Sequence, residues 1–204
     1  MSVKRQRLTR EQSKEQTRQR LLDAAQALFM RRGFAAASVQ AIAAAAGFTR
    51  GAFYSNFHSK PDLLLELLMR EQQTVREDLG TVFEGVTSRE EMEESMLRFY
   101  SKPGREKKCA LLWIDAQLLA VRDDRFRLSF NAFSREQLKQ LSACIDEFST
   151  RTGTPLPLSA DALAMGLISL RDGIRFFRMT NPLYATEEIT QSVLSGFFAR
   201  LVLD

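Results

Sequence analysis

Residues 38–65, SVQAIAAAAGFTRGAFYSNFHSKPDLLL, constrain the fold more than any other part of the chain. Ser38 can cap a helix whose apolar positions Val39, Ile42, Ala43 and Ala46 recur at helical spacing, and Gly47 ends it. After a three-residue turn, Thr49 can cap a second short helix over residues 50–57. Phe53 and Phe57 lie four apart in it and face inward. Two helices joined in this way form a helix-turn-helix, whose second member enters the major groove of DNA.

The charge distribution agrees with that reading. Residues 1–60 hold 11 Lys and Arg against three acidic residues, a net +8. The remaining residues hold 18 basic and 22 acidic side chains, a net −4. The positive field therefore sits on the segment that would meet phosphates. A basic solvated face without a partner is the bland alternative, and the helix-turn-helix argues against it.

The rest of the composition bounds the protein more loosely. A chain of 204 residues with 45% hydrophobic content can build a sizeable core. It contains no run of about 18 uncharged apolar residues to span a membrane. The basic N-terminus lacks an apolar stretch behind it, so a cytoplasmic location is expected rather than secretion. Cys109 and Cys144 make neither a disulfide framework nor a zinc site. With no Gly-rich phosphate loop, no paired histidine and nucleophile and no metal cluster, an enzyme is not expected, and neither is a cofactor.

Helical periodicity recurs from end to end, with no convincing alternating strand. Ser13 and Gln16 form a capping-box pattern for a first long helix with Leu21, Leu22, Ala25, Leu28 and Phe29 on one stripe, stopped by Gly33. Ser59 and Asp62, then Ser88 and Glu91, open two more. Further helices are expected over residues 107–120, after Asp123 or Asp124, and after Ser159 and Thr186. The expected fold is all-α with about nine helices.

From Arg20 to Leu65 the residues resemble the TetR family of bacterial transcriptional regulators. The matching runs are RLLDAA with Leu28-Phe29, Gly33-Phe34, SV with Ile42-Ala43, AGFTRGAFYSNF, Ser59-Lys60 and Asp62-Leu63-Leu64. The resemblance implies a DNA-binding domain over residues 1–60, with its basic arm, and a helical ligand-binding and dimerisation domain over 61–204. It also implies a homodimer on a palindromic double-stranded operator, most often a repressor released by a small-molecule inducer, with no membrane involvement. A nucleoid-type DNA binder without sequence preference, and a redox-responsive regulator acting through Cys109, are the alternative readings.

Within the second helix, Arg50 has the reach and the planar fork to donate two hydrogen bonds to guanine O6 and N7. Gly51 and Ala52 permit close approach and can touch a thymine methyl, and Ser55 lies near the same groove. A phosphate contact is the alternative for Arg50. By resemblance, Tyr54 and Lys60 hold the sugar-phosphate backbone. Ser38, Gln40, Thr49 and Asn56 are candidates for the same role, although Ser38 and Thr49 also serve as caps and Asn56 stands where the family commonly has histidine. Lys4, Arg5, Arg7 and Arg10 form a basic arm that either follows the groove or stays free in solvent.

Aromatic and apolar side chains crowd the middle helices. Met96, Phe99, Tyr100, Trp113, Gln117 and Leu118 are candidates for a largely apolar pocket, with Phe126, Phe130, Phe133 and Phe176. Ordinary core packing is the alternative for each of them. Arg171, Arg175 and Arg178 share a helical face and can meet an anion, or pair with Asp161, Glu187 or Glu188. The single histidine, His58, lies far from this region in sequence. Gly166, Ser169 and Gly173, with Leu194, Phe197, Phe198 and Leu201, suggest a two-fold interface of four helices.

Overall fold

A computed structural model describes residues 9–86, 88–100, 106–153 and 155–197. They form nine helices: α1 Arg10–Ala36, α2 Val39–Ala45, α3 Arg50–Tyr54, α4 Lys60–Phe83, α5 Arg89–Tyr100, α6 Glu106–Arg122, α7 Asp124–Thr152, α8 Ala160–Thr180 and α9 Glu187–Phe197. Among the described residues there is no strand.

Most helix starts are side-chain caps that the sequence announces. The side chains of Ser38, Thr49, Ser59, Asp123 and Ser159 each accept a hydrogen bond from the backbone N–H three residues on. Thr186 does the same for Ile189. Ser88 and Glu91 form a reciprocal capping box, each side chain accepting the other's backbone N–H. The first helix departs from expectation. Thr9 and Gln12 form its capping box, so α1 begins one turn earlier than Ser13 would place it. Ser13 instead donates its backbone N–H to Thr9 O at 2.9 Å, inside the ladder. Gly33 breaks α1 as expected, with φ +78° and ψ 159°, and a last short turn continues to Ala36. The second short helix also ends sooner than residue 57. The backbone N–H groups of Asn56 and Phe57 both bond Phe53 O, tightening the chain into a turn after Tyr54.

Two buried clusters hold these helices. The larger joins Leu21, Leu22, Ala25 and Phe29 of α1 to Ile42 of α2, Phe53 of α3 and Leu63, Leu64, Leu67 and Leu68 of α4. It continues without a break into Leu112, Ala116 and Ala120 of α6 and Phe126 and Phe130 of α7. The smaller gathers Ile145 and Phe148 of α7, Ala160, Leu163, Ala164 and Leu167 of α8 and Leu194 of α9. The first half of α4 is thus fixed in the larger cluster, and its second half extends toward α5, α7 and α8.

The small-residue and apolar positions expected at a two-fold interface are partly used inside the subunit. Leu194 is buried in the smaller cluster, and Phe197 packs against it. A Cβ at Gly166 would lie 3.5 Å from the Phe197 ring, so Gly166 admits that ring within one chain. Ser169 is exposed and Gly173 half-buried, whereas Phe198 and Leu201 lie outside the described residues. The apolar surface left open on α8 and α9 is a different set: Met165, Phe176, Phe177, Ile189 and Val193.

Candidate nucleic-acid interface

The turn between α2 and α3 is built by backbone hydrogen bonds and one glycine. Gly47 adopts φ +77°, a left-handed conformation that side chains rarely accept, and its N–H donates to Ala44 O. Phe48 N–H reaches back to Ala43 O at 2.8 Å. Phe53, fully buried, anchors α3 on the core, with the Phe57 ring 5.6 Å away. The five-residue α3 is too short to hold its shape alone, so this packing is what presents its outer face.

That face carries Arg50, Gly51, Tyr54 and Ser55, all exposed, with Ala52 half-buried beside them. The Arg50 guanidinium lies 5.5 Å from the centre of the Tyr54 ring, and its Nη2 donates to the Tyr54 hydroxyl at 3.5 Å. Gln40 is exposed on α2, and the Ser38 and Thr49 hydroxyl oxygens accept capping bonds. Ser55 Oγ donates to Gly51 O at 3.0 Å. Arg20 stacks on Phe48 at 4.8 Å, an exposed cation beside the turn that helical periodicity assigns only to the outside of α1. The basic arm up to Arg7 lies outside the described residues, and Arg10 is exposed in the first turn of α1.

Two of the expected backbone contacts are turned inward. Asn56 is half-buried, and its Nδ2 donates to Ala52 O at 2.8 Å. Its Oδ1 is buried without a partner, and an orphaned acceptor is the wrong group to offer a phosphate. The backbone carbonyl of Asn56 accepts from Arg18, which also pairs with Glu66 of α4. Lys60 Nζ donates to both Phe34 O and Ala37 O at 2.7 Å and lies 4.2 Å from the Phe34 ring centre. Phe34 N–H in turn donates to Asp115 of α6 at 2.9 Å. Partial burial lowers the Lys60 pKa from its usual value, and the nearby Asp115 carboxylate opposes that shift. Lys60 therefore ties the end of α1 to α4, a role that its place after a serine cap does not announce.

A cavity of about 670 Å³ opens between α4, α5, α7 and α8. Its lining corrects the expected pocket. Of the eight anticipated residues whose side chains are described, only Phe99 lines it. Trp113 stacks on Phe133 with ring centres 5.7 Å apart and meets Phe130 edge-on at 5.9 Å, and Phe126 stacks on Phe130, so these four rings are core. Gln117, Leu118 and Phe176 are exposed elsewhere, and the side chains of Met96 and Tyr100 lie outside the described residues. The lining instead includes Val75 and Leu79 of α4, Gln137, Leu141 and Phe148 of α7, and Leu167, Arg171 and Arg175 of α8. One signal was present in the sequence: Gln137 stands four residues from both Phe133 and Leu141, a polar residue on an apolar stripe. Of the arginines on α8, Arg171 pairs with its neighbour Asp172, and Asp161 accepts a hydrogen bond from Ser142.

Among the described residues no group of His, Cys, Asp and Glu is arranged to hold a metal ion, and no helix is long and apolar enough to cross a membrane. Cys144 is free, exposed and on the cavity wall; the side chain of Cys109 lies outside the described residues.

A short α2, a glycine turn and an α3 held by one buried phenylalanine define a helix-turn-helix protein. Residues 21–67 match the model of the bacterial regulatory proteins of the tetR family, so it is this helix-turn-helix segment that is similar to that family. It is 41% identical over 66 residues to the HTH-type transcriptional regulator AcrR of Shigella flexneri, covering 32% of this chain and 31% of that one. It is also 41% identical over 64 residues to SrpR of Pseudomonas putida, covering 31% and 30%. The matches thus span about a third of these relatives. The whole fold is shared more widely. A transcriptional regulator from Rhodococcus sp. Rha1 superposes with a TM-score of 0.73 at 18% identity, covering 91% of this chain and 95% of that one. GusR of Salmonella enterica gives 0.70 at 18% identity, covering 94% and 98%.

Proposed function

We propose that this protein is a repressor that grips a palindromic operator as a homodimer and releases it when a small, mostly apolar ligand enters the α4–α8 cavity. In this reading residues 1–60 read DNA and residues 61–204 bind the ligand and the second subunit. The observation that carries it is the double use of α4. Leu63, Leu64, Leu67 and Leu68 pack in the cluster that holds α3, while Gln72, Val75, Arg76 and Leu79 of the same helix line the cavity. A ligand that shifts the second half of α4 necessarily acts on the support of the reading helix.

Arg50 is assigned to a base edge, with Gly51, Ala52 and Ser55 beside it; Tyr54, Gln40, Ser38 and Thr49 are assigned to the sugar-phosphate backbone. The open apolar face of α8 and α9, including Met165, Phe176, Ile189 and Val193, is assigned to the two-fold interface.

Release can be tested without knowing the natural ligand, because Cys144 lies on the cavity wall. In a Cys109→Ser background, alkylating Cys144 with a bulky maleimide should weaken operator binding by about fivefold or more, the range of ordinary allosteric coupling. Fluorescence anisotropy on labelled operator reads the change. Full alkylation with unaltered affinity would exclude release through this cavity.

A further inference from the structure

The cavity has a polarity that an apolar ligand would leave unmatched. Gln137 is 6% exposed, and its Nε2 is buried without a hydrogen-bond partner. A buried donor left unpaired is costly, so this group is poised for an acceptor that the chain does not supply. An amide can turn to present either of its ends, and the charges on the same walls decide which end is wanted. Among the described lining residues, four arginines, Arg76, Arg151, Arg171 and Arg175, stand against two acidic side chains, Glu84 and Glu147. The Arg171 side chain is 13% exposed, and its Nε donates to Asp172 Oδ1 at 2.9 Å. A guanidinium has five N–H donors, and that bond uses one of them. Gln72 and Gln140 add two further amides, and the rest of the described lining is mostly apolar, from Val75 and Leu79 on one side to Leu141 and Phe148 on the other.

We propose that the cavity binds an organic anion, a carboxylate carried on an apolar body, with the carboxylate received by Gln137 and Arg171. This rests on the cavity being the ligand site of the proposed function and narrows the ligand to one chemical class. A carboxylate supplies acceptors to the orphaned amide and to the guanidinium together, and its apolar body covers the remaining wall. A cationic headgroup would leave Gln137 Nε2 unpaired and would meet like charge from the arginines.

Calorimetric titration of the full-length protein with decanoate, decanol and decyltrimethylammonium, below micelle-forming concentrations, tests the assignment. Decanoate should bind about tenfold or more tightly than decanol, and the cation most weakly. Arg171→Gln and Gln137→Leu should each remove most of the preference for decanoate while leaving decanol binding within about twofold. Decanol or the cation binding as tightly as decanoate to the unaltered protein would overturn the anion class and leave the cavity as a ligand site. If none of the three binds, both the anion class and the ligand-site reading fall. If decanoate is preferred but operator affinity stays constant, the anion site stands and release does not.

Discussion

Replacing Phe53 with alanine should abolish operator binding and lower the stability of the protein by about 3–5 kcal/mol. The side chain is fully buried, its ring lies 5.4 Å from Tyr54 and 5.6 Å from Phe57, and it is the one buried residue within α3. A helix of five residues has almost no stability of its own, so removing its anchor frees the whole reading face. Thermal unfolding followed by circular dichroism reads the stability, and anisotropy on operator reads the binding. Retention of operator affinity by Phe53→Ala would mean that α3 is not the element that meets DNA.

Lys60→Met should lower stability by about 2–4 kcal/mol, which for a chain of this size is roughly 5–15 °C in Tm. The methionine keeps most of the aliphatic stem but removes the donor shared by Phe34 O and Ala37 O and leaves both carbonyls short of a partner. Because Lys60 is half-exposed, water replaces part of what is lost, which sets the estimate below the sum for two charged hydrogen bonds. A phosphate contact would behave differently. Unaltered Tm, together with a salt dependence of DNA binding flattened by about one unit per subunit, would return Lys60 to the DNA backbone.

Lys60 also illustrates where the sequence stops being legible. Helix starts were readable because a cap is a local event: Ser38, Thr49, Ser59 and Ser159 each act within three residues of themselves. The inward face of α3 was readable for a similar reason, since Phe53 and Phe57 can reach the core only from one side. The partners of Lys60, at positions 34 and 37, depend instead on how Gly33 breaks α1, which no local pattern encodes. The cavity was missed on the same grounds. Aromatic content marked Trp113, Phe126, Phe130 and Phe133, yet large rings fill space, and these four pack against one another. A cavity is space that side chains leave empty, and its walls at α4 and α8 were set by helix placement. Thr9 shows a milder limit, because two capping patterns one turn apart were both present and only the earlier one starts the helix.

The α8 and α9 surface follows the same logic. Helical spacing identified these helices as apolar but could not say which stripe faces inward. Leu194 and Phe197 are taken by the subunit's own core, and Met165, Ile189 and Val193 remain outside.

In the proposed function, α3 reads sequence through Arg50 on a two-fold symmetric site. Selection of binding duplexes from a random pool should enrich a palindrome occupied by one dimer, with stoichiometry checked by light scattering. Isotherms for the unaltered protein and Arg50→Ala, on the selected duplex and on a scrambled one, then give the decisive comparison. Arg50→Ala should lose about 1–3 kcal/mol on the selected duplex, relax preference at one base pair per half-site and change little on scrambled DNA. Equal losses on both duplexes would make Arg50 a phosphate contact, and a pool with no enriched sequence would contradict sequence-specific binding altogether.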